Sequence, residues 1–225
     1  MKIGINEVLK QVRLFFILYL ILFCVCLIIK FLFTRHEIYF AVNAHYNAFA
    51  DLIAPYVTDL GNGWTIVSLS AILLLFSYRA GFLMATTYAL TSLSAQLVKY
   101  IFDLPRPTLL YKDQLSHIHL VKGVYMLQFN SFPSGHTVTA FSSAILVLYL
   151  IKNKNWWIAL FIYAAAVGYS RMYLSEHFFE DVVAGSALGV FITICWLSFI
   201  ENRKFIHSPS WSKGLLHTLK PKARS

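Results

Sequence analysis

Six residues able to hold or cleave a charged group stand at the ends of apolar runs. Lys99 and Arg106 lie in "KYIFDLPRP", His136 closes "PSGH", and Arg171, His177 and Asp181 fall within "SRMYLSEHFFED". Ionisable groups at such positions are costly beside lipid and mark function. Three permanent cations around one spot describe an oxyanion site, because Arg offers a planar fork matched to phosphate oxygens and Lys adds a point charge. His177 and Asp181 are four apart and share a helix face. The carboxylate can therefore accept one ring proton and leave the other nitrogen as a nucleophile. His136, on the other side, can protonate a leaving oxygen. Pro133, Ser134 and Gly135 start a helix whose free N–H groups form a cradle for an anion. Proline suits the first turn, and glycine admits a close approach to the backbone. The parts make a phosphoryl-transfer site without metal. The carboxylates lack metal-ligand spacing, no Gly-x4-Gly-Lys loop for a nucleotide is present, and no cofactor is expected.

The elements that must position these groups are apolar. The 225-residue chain is 58% hydrophobic and 13% charged, with mean hydropathy +0.64, far from the roughly 25% charge of soluble domains. Runs at about 14–33, 64–78, 82–102, 136–151, 156–172 and 182–200 approach the ~20 residues that span a bilayer as a helix. An all-α polytopic membrane protein of six transmembrane helices is expected, with residues 1–200 as the membrane domain. The first run follows Lys2, Lys10 and Arg13 but is too long for a cleaved signal and reads as an anchor. The connection 34–63 repeats apolar residues at helical spacing (Ile38, Val42, Phe49, Ile53, Tyr56), is interrupted by Asp51 and Asp59, and predicts an interfacial helix between the first and second spans. Cys24, Cys26 and Cys195 lie inside apolar runs and read as small hydrophobes.

Six spans put both termini on one side. With that side cytoplasmic, twelve of the 19 Lys and Arg fall inside, in line with the positive-inside bias. All six chemical residues then fall on the outer face. The net charge of +9 is scattered between apolar runs and fits a membrane surface, not nucleic acid. The tail 201–225 is strongly basic and is expected as a cytoplasmic segment resting on anionic lipid. Glu176 and Glu180 read as solvated loop charges. Asp103, one turn after Lys99, reads as its ion-pair partner. His117 and His119, separated by one residue in a loop, are a weak metal signal.

The three stretches resemble the motifs of the type 2 phosphatidic acid phosphatase superfamily of membrane lipid phosphatases: Lys-x6-Arg-Pro, Pro-Ser-Gly-His and Ser-Arg-x5-His-x3-Asp, every key position filled between residues 99 and 181. The resemblance implies that His177 attacks phosphorus to form a phosphohistidine, with Asp181 orienting it. It further implies His136 as general acid and then base, and Lys99, Arg106 and Arg171 as phosphate ligands assisted by Ser134 and Gly135. The implied substrate is a membrane lipid phosphate, in a bacterial cytoplasmic membrane with the site facing outward. Among such lipids an isoprenoid diphosphate such as undecaprenyl diphosphate is the first expectation, ahead of phosphatidylglycerol phosphate, phosphatidic acid and lipid A. A lipid phosphotransferase could use the same site. A transporter is the non-enzymatic alternative, but it would spread ionisable groups through the membrane depth.

Overall fold

The computed structural model describes residues 4–218, and no strand occurs among them. Apolar runs of helical length dictate the architecture: α1 (Ile5–Gln11), α2 (Arg13–Leu32), α3 (Arg35–Ala44), α4 (Ala48–Asp59), α5 (Gly63–Phe76), α6 (Tyr78–Phe102), α7 (Pro107–Leu110), α8 (Gly135–Leu150), α9 (Trp157–Tyr173), α10 (Phe179–Ile200) and α11 (Leu215–Thr218). Each run expected as a span coincides with one of the helices α2, α5, α6, α8, α9 and α10.

Length and composition alone establish fewer of these helices as spans. Among the described residues only α2 and α10 are long and apolar enough to cross a membrane, with a third crossing if α4 and α5, bent by 52°, form one broken span. α8 is apolar but has 16 residues, about 24 Å at 1.5 Å per residue against a hydrocarbon layer of ~30 Å. α6 is long enough, but Thr86, Thr87, Thr91, Ser92, Ser94 and Gln96 dilute its apolar character. Length and composition therefore establish two to three crossings where six were expected.

α8 forms the centre. Ala140, Phe141, Ala144, Ile145 and Leu146 are buried, in one cluster with Phe15, Phe161, Val167 and Leu197 from the surrounding helices. Helices in lipid gain little from the hydrophobic effect between them and associate through close packing at small residues. Gly185 and Gly189 of α10 supply that contact. A Cβ on Gly185 would stand 2.7 Å from the Ser134 carbonyl oxygen, and one on Gly189 would stand 2.5 Å from that of Val138. α1 turns at Val12 and buries Val8 in the same core.

The expected interfacial helix is two helices. A capping box of Thr34 and Glu37 starts α3. α3 stops at Ala44, where His45 leaves the helical conformation, and Asn47, extended and accepting from the Ala50 amide, caps α4. At one end of the molecule Arg79, which begins α6, pairs with Glu201, which follows α10. There the backbone of Tyr78 and Arg79 donates to Lys213 and Trp211, Ile206 is buried, and Trp211 packs on Phe82 and Phe205. The described part of the basic tail is thus a packed cap with Arg203, Lys204 and Lys213 outermost. Lys2, Lys220, Lys222 and Arg224 lie outside the described residues.

Candidate active site

At the opposite end, the C-termini of α6 and α9 meet the N-termini of α8 and α10. The loop between α9 and α10 folds onto Arg171, whose carbonyl accepts the amides of both Glu176 (3.0 Å) and His177 (3.2 Å). From α3, Tyr39 Oη and Asn43 Nδ2 donate to Ser175 Oγ at 3.0 and 3.3 Å. Phe178 packs on Tyr39 and Tyr111.

His177 is 1% exposed, and its Nδ1 lies 3.3 Å from Asp181 Oδ2. A carboxylate only accepts, so Nδ1 carries the proton and Nε2 keeps its lone pair. Asp181 Oδ2 also accepts from the Ser131 hydroxyl at 2.5 Å and the Phe178 amide at 2.9 Å. Burial pushes the His177 imidazole well below its ordinary pKa, and the positive field of Arg171, Arg106, Lys99 and His136 adds to that shift. Groups from all three motifs thus act on one imidazole.

The cations are all buried, Lys99 at 8%, Arg106 at 5% and Arg171 at 6% exposure. Lys99 Nζ donates to the Asn130 carbonyl. Arg106 Nε donates to the Phe129 carbonyl at 3.0 Å. Arg171 Nη1 donates to Thr58 Oγ1 at 2.7 Å, while its Nε is buried without a partner. The residue that sequence reasoning misjudged is Glu176. It is 5% exposed, and its Oε2 accepts from Arg106 Nη1 and from Arg171 Nη2, the latter at 3.1 Å. Two guanidiniums turn it inward, because buried cations demand a counter-charge. Glu180 is paired too, with Arg35 and more distantly Lys30.

The α8 start keeps its amides available. No side chain caps the helix; the Ser134 hydroxyl instead accepts from Thr137 Oγ1 at 2.9 Å. Ser134 is fully buried and its amide donates to the Asp181 carbonyl at 2.9 Å. Gly135 faces open space, with no atom within 4 Å of a Cβ built there. A cavity of about 150 Å³ lies beside Lys99, Gly135 and His136 and is lined further by Gly61, Ser92 and Gln96.

Among the described residues Asp103 makes no ion pair with Lys99. It adopts the left-handed conformation (φ 36°) that ends α6 and only its amide bonds back, to the Lys99 carbonyl. His119 is held by Asp51, with Nε2 2.9 Å from Oδ1, and stacks on Tyr46. Ser131, Thr58 and Glu176 were not among the residues expected here. Ser131 had one signal, a small polar residue between Phe129 and Phe132 just ahead of the helix start.

The model of the PAP2 superfamily matches residues 79–205. Among curated relatives, an undecaprenyl-diphosphatase of Sulfolobus acidocaldarius is 27% identical over 165 residues, 70% of this chain and 72% of that protein. Among solved structures, the crystal structure of Aquifex aeolicus LpxE superposes with a TM-score of 0.64 and 27% identity, covering 72% of this chain and 94% of that one. A transmembrane PAP2 type phosphatidylglycerolphosphate phosphatase from Bacillus subtilis gives 0.62 and 25%, covering 85% and 96%.

Proposed function

The chain belongs to the PAP2 superfamily, and from that premise we propose that this lipid phosphatase works through a covalent phosphohistidine at His177. One observation carries the reading. The His177 ring is held by Asp181 at Nδ1, inside the field of three buried cations and a second histidine.

In the first step His177 Nε2 attacks phosphorus, the bond from phosphorus to the lipid oxygen (or bridging phosphate oxygen) breaks, and His136 gives that oxygen its proton. In the second step His136 takes a proton from water, the hydroxide bonds to phosphorus, and the N–P bond breaks to release inorganic phosphate. Asp181 stabilises the charge that develops on the ring. Lys99, Arg106, Arg171 and the Gly135 amide hold the phosphoryl oxygens, with the Ser134 hydroxyl assisting, the duty that divalent metals perform in other phosphoryl-transfer sites.

The substrate we favour is an isoprenoid diphosphate such as undecaprenyl diphosphate, supported by the relative of that name, which aligns over most of both chains. The B. subtilis neighbour supports phosphatidylglycerol phosphate as the competing reading. Six crossings, both termini cytoplasmic, and a site on the outer face of a bacterial inner membrane complete the proposal. Residues 201–225 form its basic cytoplasmic end. Phosphate release by purified protein from undecaprenyl diphosphate, phosphatidylglycerol phosphate, phosphatidic acid and lipid A, with His177→Ala alongside, tests it. A higher kcat/KM on undecaprenyl diphosphate supports the substrate reading, and a preference for another lipid overturns it.

A further inference from the structure

The catalytic ring is 1% exposed, and a phosphate beside it needs guanidinium donors that are already occupied. Glu176 is the group whose departure would open the cradle. Its Oε2 bridges Arg106 and Arg171, two of the three cations assigned above to phosphate, as a phosphoryl oxygen would. The loop does not depend on that carboxylate. Glu176 stays tethered through its own carbonyl, 3.2 Å from Arg106 Nη1, and through its amide on the Arg171 carbonyl. A second, independent sign of a missing ligand is Arg171 Nε, a buried donor without a partner.

Charge balance points the same way. Among the side chains hydrogen-bonded around the ring, three buried cations face two carboxylates, Asp181 and Glu176, and a phosphate dianion added to all of them overshoots neutrality. With Glu176 off the guanidiniums, the cations match Asp181 and the phosphate. Buried charge left uncompensated is costly.

We infer that Glu176 is a positioning residue that stands in for phosphate: its carboxylate holds the Arg106 and Arg171 forks in phosphate-binding geometry while the site is empty, and yields them to the phosphoryl oxygens when substrate enters. This inference rests on the assignment of those arginines to the phosphate. The carboxylate keeps the forks ordered, which lowers the reorganisation that reaction demands. It also competes with inorganic phosphate and so speeds product release.

The probes are inorganic phosphate and orthovanadate, titrated as inhibitors of hydrolysis by the purified full chain and by its Glu176→Gln, Glu176→Asp and Arg106→Ala variants. In Glu176→Gln the amide oxygen still accepts from both arginines, but the competing charge is gone. It is expected to bind both anions about tenfold more tightly, the scale of one charge-assisted hydrogen bond, and to lower KM without raising kcat. Glu176→Asp, with a shorter reach, is expected to shift in the same direction by a smaller factor, and it serves if thermal unfolding shows Glu176→Gln to be misfolded. Arg106→Ala is expected to weaken both anions at least tenfold. Anion affinity unchanged or weaker in the Glu176 variants, with Arg106→Ala weakened as expected, overturns the stand-in role and leaves a fixed brace. Unchanged affinity in Arg106→Ala overturns the cradle assignment, and the inference with it.

Discussion

The Ser131 hydroxyl lies 2.5 Å from Asp181 Oδ2, the same oxygen that faces His177 Nδ1 at 3.3 Å. Ser131 thus fixes the carboxylate that fixes the proposed nucleophile. A hydrogen bond to a charged group contributes about 1.5–3 kcal/mol. Ser131→Ala is therefore expected to lower kcat ten- to hundredfold with little change in KM, measured on the preferred lipid. A loss confined to KM would contradict the positioning role.

Two glycines at the site should respond in opposite ways. A methyl on Gly185 would meet the Ser134 carbonyl at 2.7 Å and the Thr137 Cβ at 3.3 Å. Such overpacking costs about 1–3 kcal/mol, or roughly 3–10 °C in Tm for a chain of this size. Gly135→Ala meets open space and should leave Tm unchanged, but in the proposed reaction it puts the methyl where phosphate approaches and should raise KM. Thermal unfolding in detergent and steady-state kinetics on both variants check the contrast.

Because burial and the surrounding cations keep the folded His177 ring neutral well below its ordinary value, the unfolded chain binds a proton there, near pH 6.5, that the folded chain refuses. The unfolded state then binds more protons as pH falls, so this residue makes stability decline below about pH 6.5. His177→Asn removes that contribution. Between pH 7 and 5 the variant should lose less stability than the parent protein; equal losses would contradict the depressed ring.

The site was legible wherever chemistry has fixed spacing. Lys99, Arg106, His136, Arg171, His177 and Asp181 could be picked out because each is a polar exception in apolar sequence: Asp181 lies against His177, Arg106 and Arg171 share Glu176, and Lys99 and His136 line one cavity. Glu176 was misjudged because sequence does not reveal which way a loop carboxylate turns; two arginines from different elements decide it. Thr58 lies 113 positions from Arg171 and nothing local points to it. Helix positions were equally legible from apolar runs, whereas crossing number was not, since α8 is too short and α6 too polar for composition to establish a span. The split of 34–63 into α3 and α4 turns on two non-helical residues, His45 closing α3 and Asn47 capping α4.

Metal independence gives a further check. Lys99, Arg106 and Arg171 supply the positive charge in the proposed reaction, so an excess of EDTA should leave the rate within about twofold. Strong inhibition, reversed by adding back a divalent cation, would contradict that division of labour.

The most direct measurement is to trap the intermediate. Protein mixed with lipid carrying ³²P in the phosphoryl group to be transferred, then quenched in base, should carry an acid-labile label that peptide mapping assigns to His177. The label should be absent from His177→Ala and should persist longer in His136→Ala, where water lacks its base. Hydrolysis by His177→Ala at the parent rate, or a label on any other residue, would contradict the account.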